Sequence, residues 1–137
     1  MGLDGHGEVD LGVDVVARTD AVPAVRHLLA CWLRDLQADR RLIDDMVLVV
    51  TELVTNAIEA STEDGSRVGV SAAAADHTIE IEVTDDGGGF ELGPAVGLPG
   101  PRSSRGRGLG IVNALCDHVE VRRDRGRTVV RACRRAG

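Results

Sequence analysis

Val25, Leu28, Leu29, Trp32, Leu33 and Leu36 recur at intervals of three and four, with Arg26, Arg34 and Asp35 between them. That spacing collects the apolar side chains on one stripe of a helix from about Val22 to Leu36, for which Thr19 or Asp20 supplies a capping oxygen. Leu42, Met46, Val49, Val50, Leu53, Ala57 and Ile58 repeat the pattern over a second helix, from about Arg41 to Ala60. Past the turn signal TEDGS the period drops to two. Arg67 to Ala73 and Thr78 to Thr84 alternate, and the short connection Ala74 to His77 makes them an antiparallel hairpin. A weaker alternation from Gly12 to Ala17 predicts an edge strand. The stretch GIVNALCDHV predicts a third helix, and Val119 to Arg123 with Thr128 to Cys133 two final strands around the turn DRGR.

One stretch fits neither period. Residues 86 to 110 carry nine glycines and three prolines. Inside a compact domain such a segment is either a functional lid or a linker, and the pieces on either side are too small to fold alone, which favours the lid.

Composition narrows the classes. At 137 residues and 14.5 kDa the chain fits one domain, residues 1–137 with a core of about 12–134. One Phe, one Trp and no Tyr leave a core of Val, Leu, Ile and Ala, and argue against stacking on nucleic-acid bases. No apolar run approaches the ~20 residues of a membrane span, and Met1 to Asp10 is too acidic and glycine-rich for a signal peptide, so a cytoplasmic protein is expected. Cys31, Cys116 and Cys133 are odd in number, widely spaced and set among apolar residues, as reduced core thiols would be. The four histidines lack ligand spacing for zinc.

The charge is unevenly placed. Residues 1–100 hold 19 acidic residues against 6 arginines, and residues 101–137 hold 3 against 10. A basic tail on an acidic body suits an anionic ligand or an acidic partner. Its arginines fall on lid and strand positions rather than on a recognition helix, which argues against direct binding of nucleic acid. Arg122, Arg123, Arg125 and Arg134 read as an exposed basic face. All sixteen basic residues are arginine, and without a lysine the P-loop reading of a glycine-rich segment fails.

Two places carry candidate chemistry. In TELVTNAIEAS, Glu52 and Asn56 lie four residues apart at the edge of the second helix's apolar stripe. A carboxylate there can act as a general base, and an amide oxygen one turn on can hold a hard cation such as Mg²⁺. In VTDDGGGF, residues 83–90, a strand ends in two carboxylates and three glycines. Glycines there serve either a turn or a ligand lying against bare backbone, and no second strand follows within the reach of a hairpin loop.

Order is more specific than any one motif. Glu52-x-x-x-Asn56 lies on a helix, Asp85-x-Gly87-x-Gly89-Phe90 ends a strand, Gly106-x-Gly108-Leu109-Gly110 opens a helix, and Thr128 begins a strand after Gly126. From about residue 20 to 133 this series resembles the N box and the three glycine boxes of the GHKL ATPases, the Bergerat fold. With AVPAVRHLL, ELVTNAIEAS and GRGLGIV it is similar, more narrowly, to the anti-sigma-factor serine/threonine kinases. One departure is that many of these carry a histidine shortly after the N-box asparagine, where this chain has Glu59, Ala60 and Ser61.

The resemblance implies an α/β two-layer sandwich: a mixed, mostly antiparallel sheet covered on one face by helices, with an ATP lid at about 86–108. It implies that Asp85 accepts a hydrogen bond from the adenine amino group, that Gly87 and Gly89 admit the base and sugar, and that Thr128 supports the adenine contact. Gly106, Gly108, Leu109 and Gly110 would bind phosphate through backbone N–H groups at a helix N-terminus. Arg105 would meet the γ-phosphate, Asn56 would hold Mg²⁺, and Glu52 would take the proton of the attacking hydroxyl. The implied activity is transfer of phosphoryl from ATP to a serine of an anti-anti-sigma partner of the STAS type, with a sigma factor as the alternative partner of a homodimer. An ATP-binding interaction module without kinase activity, and an ATPase that activates water, remain alternatives. A histidine kinase's dimerising hairpin has no room in this chain.

Overall fold

Two pairs of residues with positive φ fold the sheet of the computed structural model, which describes residues 9–61, 65–85 and 104–136. Asp76 and His77, at φ 53° and 62°, make the two-residue turn between β2 (Arg67–Ala75) and β3 (Thr78–Asp85). Arg125 and Gly126, at 55° and 83°, do the same between β4 (His118–Asp124) and β5 (Arg127–Arg135). Turns with two positive φ values match the right-handed twist of the strands they join. With β1 (Val9–Val16) the strand order is β1-β2-β3-β5-β4, and all four pairings are antiparallel. The sheet expected to be mixed and mostly antiparallel is antiparallel throughout among the described residues.

Alternation divides the sheet into a covered and an open face. Val70, Ala72, Ile79, Ile81 and Val83 are buried, whereas Ser71, Glu80, Glu82 and Thr84 between them are not. The buried set packs with α1 (Val22–Asp35) and α2 (Arg40–Ala60), whose Leu29, Leu33, Met46, Val49, Val50, Leu53 and Val54 complete the core. Burying one such aliphatic side chain contributes about 1.5–3 kcal/mol. Leu28, expected in the stripe, is exposed. The inward face of α1 is the narrower set Val25, Leu29 and Leu33, one residue per turn, and Leu28 stands at its border. The open face carries ion pairs instead, Arg67 with Asp14 at 2.8 Å and Arg131 with Glu80 at 3.1 Å. No helix among the described residues is long and apolar enough to cross a membrane.

The helix ends correct the sequence reading in two places. Thr19 and Asp20 do not cap α1, because Thr19–Ala21 form a turn of 3-10 helix closed by Ala21 N–H donating to Arg18 O at 2.9 Å. Pro in the first turn of α1 has no N–H to satisfy. α2 is capped from its own sequence, with Asp39 Oδ1 accepting from Leu42 N–H at 2.8 Å. The third helix, α3 (Ser104–Leu115), begins six residues before the expected Gly110 and stops earlier than Val119. Each glycine costs about 1 kcal/mol of helix propensity, which sets the expected start as late as Gly110. Leu109 and Val112, three apart, bury against the core beside α2 and offset that cost. At the other end His118 pairs with Cys133 and turns the chain into β4.

The tail arginines do not share a face. Arg122 is on the open side, 3.9 Å from Glu82, whereas Arg134 pairs across β3 with Ile79 and so lies under the helices. There its Nη1 reaches Asp45 Oδ2 and Leu115 O, both at 2.9 Å. One guanidinium thereby ties β5, α2 and the C-terminal end of α3 together, where the helix dipole favours a cation.

The cysteines are free, as expected, but half-buried rather than core. Burial pushes the Cys116 thiol up to about 11 from 9.0, with Arg134 pulling it down and the negative groups around it adding to the rise. Burial first, then Glu80, raises Cys133 as well. A raised thiol pKa means that the unfolded chain loses its proton first, so this contribution to stability is whole below pH 9 and disappears between pH 9 and about 11. The urea midpoint of the wild type should therefore fall relative to Cys116→Ser across that interval. Parallel midpoints would show that Cys116 titrates alike in both states.

Candidate functional site

Three polar residues are buried among the described residues: Asn56, Asp85 and Thr128, at 6%, 3% and 4% exposure. Each belongs to a different element, and local pattern puts each where it is. Asn56 lies on α2 between Leu53 and Ala57, both buried, so its amide is carried to the core edge by the same 3.6-residue repeat that places the leucine. Asp85 is the last residue of β3, two positions after the buried Val83, and inherits the covered face. Thr128 is the second residue of β5 and, by register, stands directly opposite Asp85. Directly opposed residues of antiparallel strands share a face, which makes Asp85 and Thr128 neighbours.

Ser61 closes the gap between α2 and this strand end. Its Oγ lies 3.2 Å from Asp85 Oδ1 and 2.9 Å from Ala57 O. Nothing local in the sequence signals this contact, since the two residues lie 24 positions apart. Glu52 is half-buried one turn before Asn56, about 6 Å along the helix axis. The amide Nδ2 of Asn56 is buried and has no hydrogen-bond partner among the described residues. A buried donor left so costs about 1–3 kcal/mol, which is a reason to look for its partner outside the protein.

α3 completes the surroundings by packing on α2. Leu109 is partly buried against the core, and Gly110 is exposed. A Cβ at Gly110 would meet nothing within 4 Å, and its φ is not positive, so neither packing nor backbone conformation accounts for that glycine. Gly106, Gly108 and Arg105 fall in the first turns of α3 rather than in a loop before it. Gly87 and Gly89, with residues 86–103 of the expected lid, lie outside the described residues. The depression on the open face, between Gly12, Gly69 and Arg127, shares none of these residues.

Chemically, the cluster offers a carboxylate and a hydroxyl for the donor edge of a flat polar ligand. It also offers an amide for a hard cation, and a second carboxylate close to that amide. Adenine with a Mg²⁺-bound phosphate chain fits this donor set, and the orphaned Asn56 Nδ2, a donor, would be met by an oxygen of that chain.

The histidine kinase-like ATPase domain family matches residues 15–134. Over 130 residues the chain is 28% identical to the serine-protein kinase RsbW of Halalkalibacterium halodurans, covering 88% of this chain and 80% of that one. Over 118 residues it is 27% identical to the anti-sigma F factor of Clostridium acetobutylicum, covering 82% of each. Among solved structures it superposes on the RsbU and RsbW domains of Rv1364c from Mycobacterium tuberculosis with a TM-score of 0.70 at 25% identity, over 91% of this chain. It spans 31% of that longer chain. The SiaB–SiaC complex of Pseudomonas aeruginosa gives 0.64 at 14% identity over 92% of this chain and 89% of the other, a likeness of fold alone.

Proposed function

The chain belongs to the histidine kinase-like ATPase domain family, and from that premise we propose that it is an ATP-dependent protein serine kinase of the anti-sigma type. It binds a sigma factor and phosphorylates a serine on an anti-anti-sigma partner of the STAS kind, working as a cytoplasmic homodimer of one domain. The observation that carries this reading is the buried trio Asn56, Asp85 and Thr128, joined to α2 through Ser61. Buried polar groups need partners, and here two of them share one strand end, tied by Ser61 to the helix that bears the third. The names of the relatives, a serine-protein kinase and an anti-sigma factor, support the chemistry.

Asp85 accepts from the adenine amino group and Thr128 supports that contact. Asn56 holds Mg²⁺ through its amide oxygen. Gly87 and Gly89 leave room for base and sugar, and Gly106, in the first turn of α3, offers a backbone N–H group to phosphate, whereas Gly108, Leu109 and Gly110 lie beyond that turn, where N–H groups bond within the helix. When bound, Mg-ATP supplies the transferable phosphoryl group and spreads its charge over cation and protein. Glu52 takes the proton of the partner's serine hydroxyl, and Arg105 offsets charge on the transferring group. Most of the rate enhancement then comes from positioning and electrostatics.

A second reading rests on the departure from the family pattern: Glu59, Ala60 and Ser61 follow Asn56, where the resemblance implies a histidine. In that reading the protein binds ATP and holds its partner without transferring phosphate. Capturing the partner from native lysate with γ-labelled Mg-ATP separates the two. Label on a mapped serine of the retained protein is the expected result. Retention of partner and nucleotide with no label would leave an ATP-binding interaction module.

A further inference from the structure

Ser61 is where α2 stops. Its φ of −81° and ψ of 125° send the chain into extended conformation, while its N–H still donates to Ile58 O at 3.1 Å. Leaving the helix at this point carries the hydroxyl to the end of β3. There Oγ lies 3.2 Å from Asp85 Oδ1 and 2.9 Å from Ala57 O. Both are acceptors, so the one hydroxyl proton is shared between them, and the carboxylate is the stronger attractor.

We propose that Ser61 is a positioning residue for base recognition: it holds Asp85 Oδ1, fixing the plane in which the carboxylate meets a purine. The inference rests on the nucleotide reading above. The terminal torsion of an aspartate is broad and roughly two-fold, so a hydrogen bond to one carboxylate oxygen narrows the orientations it presents. Orientation matters because purines differ at the edge being read. Adenine offers an amino donor at position 6, whereas a 6-oxopurine offers an acceptor there and a donor next to it, at N1. A tethered carboxylate meets the amino donor and repels the oxo group. One without the Ser61 bond has more freedom to turn toward the N1 donor. Because Ser61 ends the helix that bears Glu52 and Asn56, the same bond joins base recognition to the catalytic face of α2.

The test titrates ATP and ITP, each with Mg²⁺, into the full chain by calorimetry. In Ser61→Ala the affinity for ATP should fall about three- to tenfold, the worth of one hydrogen bond, with ITP changed little, so that the ATP preference shrinks by the same factor. Ser61→Cys, nearly isosteric but only a weak donor, should behave like the alanine variant and covers the case in which that variant does not fold. Ser61→Thr should restore the wild-type preference. A merely structural helix-end hydroxyl would weaken both nucleotides equally, and an unchanged ATP-to-ITP ratio in Ser61→Ala or Ser61→Cys would overturn the proposal. A wild type that binds ATP and ITP alike overturns the adenine reading itself, which keeps the two failures apart.

Discussion

Glu52→Ala should lower phosphoryl transfer to the partner about 10²- to 10⁴-fold, the usual worth of a general base, while leaving nucleotide affinity nearly unchanged. The separation follows from exposure and spacing. Glu52 is half-buried at the border of α2, where it can meet a hydroxyl arriving from outside, whereas Asn56 is enclosed one turn deeper. Removing the carboxylate takes away a proton acceptor without disturbing the buried trio. Asn56→Ala is expected to differ, because a cation held by its amide serves binding and transfer together, so affinity and rate should fall in step. Single-turnover transfer from labelled ATP, paired with calorimetry on the same variants, reads both. Loss of ATP affinity in Glu52→Ala as large as its loss of rate would assign that glutamate to binding, and the base would have to be sought elsewhere.

Asp85→Asn should weaken ATP about ten- to a hundredfold, since the lost interaction is a charge-assisted hydrogen bond in a desolvated position worth roughly 1.5–3 kcal/mol. The substitution is nearly isosteric, and the side chain is 3% exposed, so the change in packing is small. Ser61 adds a direction to the effect. Its hydroxyl keeps the amide oxygen as its acceptor, which aims the new NH₂ donor at the amino donor of adenine. Donor then faces donor, and the variant should lose more affinity for ATP than for GTP. Equal ATP and GTP affinity in the wild type would remove adenine as the ligand of Asp85.

Much of this site was legible from local pattern. A 3.6-residue repeat fixes which side of α2 carries Glu52 and Asn56, and a two-residue repeat fixes which face of β3 Asp85 occupies, whatever the rest of the chain does. Arg134 was misread although the needed parity was present: it lies an even number of residues after Thr128 on one strand and must share its covered face. β2 ran past its expected end, through Ala74 and Ala75, because pairing with Ile79 and Thr78 overrides the preference of alanine for helix.

By itself, then, the sequence determined the elements, their buried faces and the polar residues set into those faces, since each depends on spacings of two to four residues. Only the tertiary structure decided that Thr128 stands opposite Asp85, that Ser61 reaches Asp85 from the end of α2, and that residues 104–109 are helix. Those facts depend on strand register and on helix packing between segments far apart in the chain, where the pairing free energy, and not local propensity, selects the arrangement.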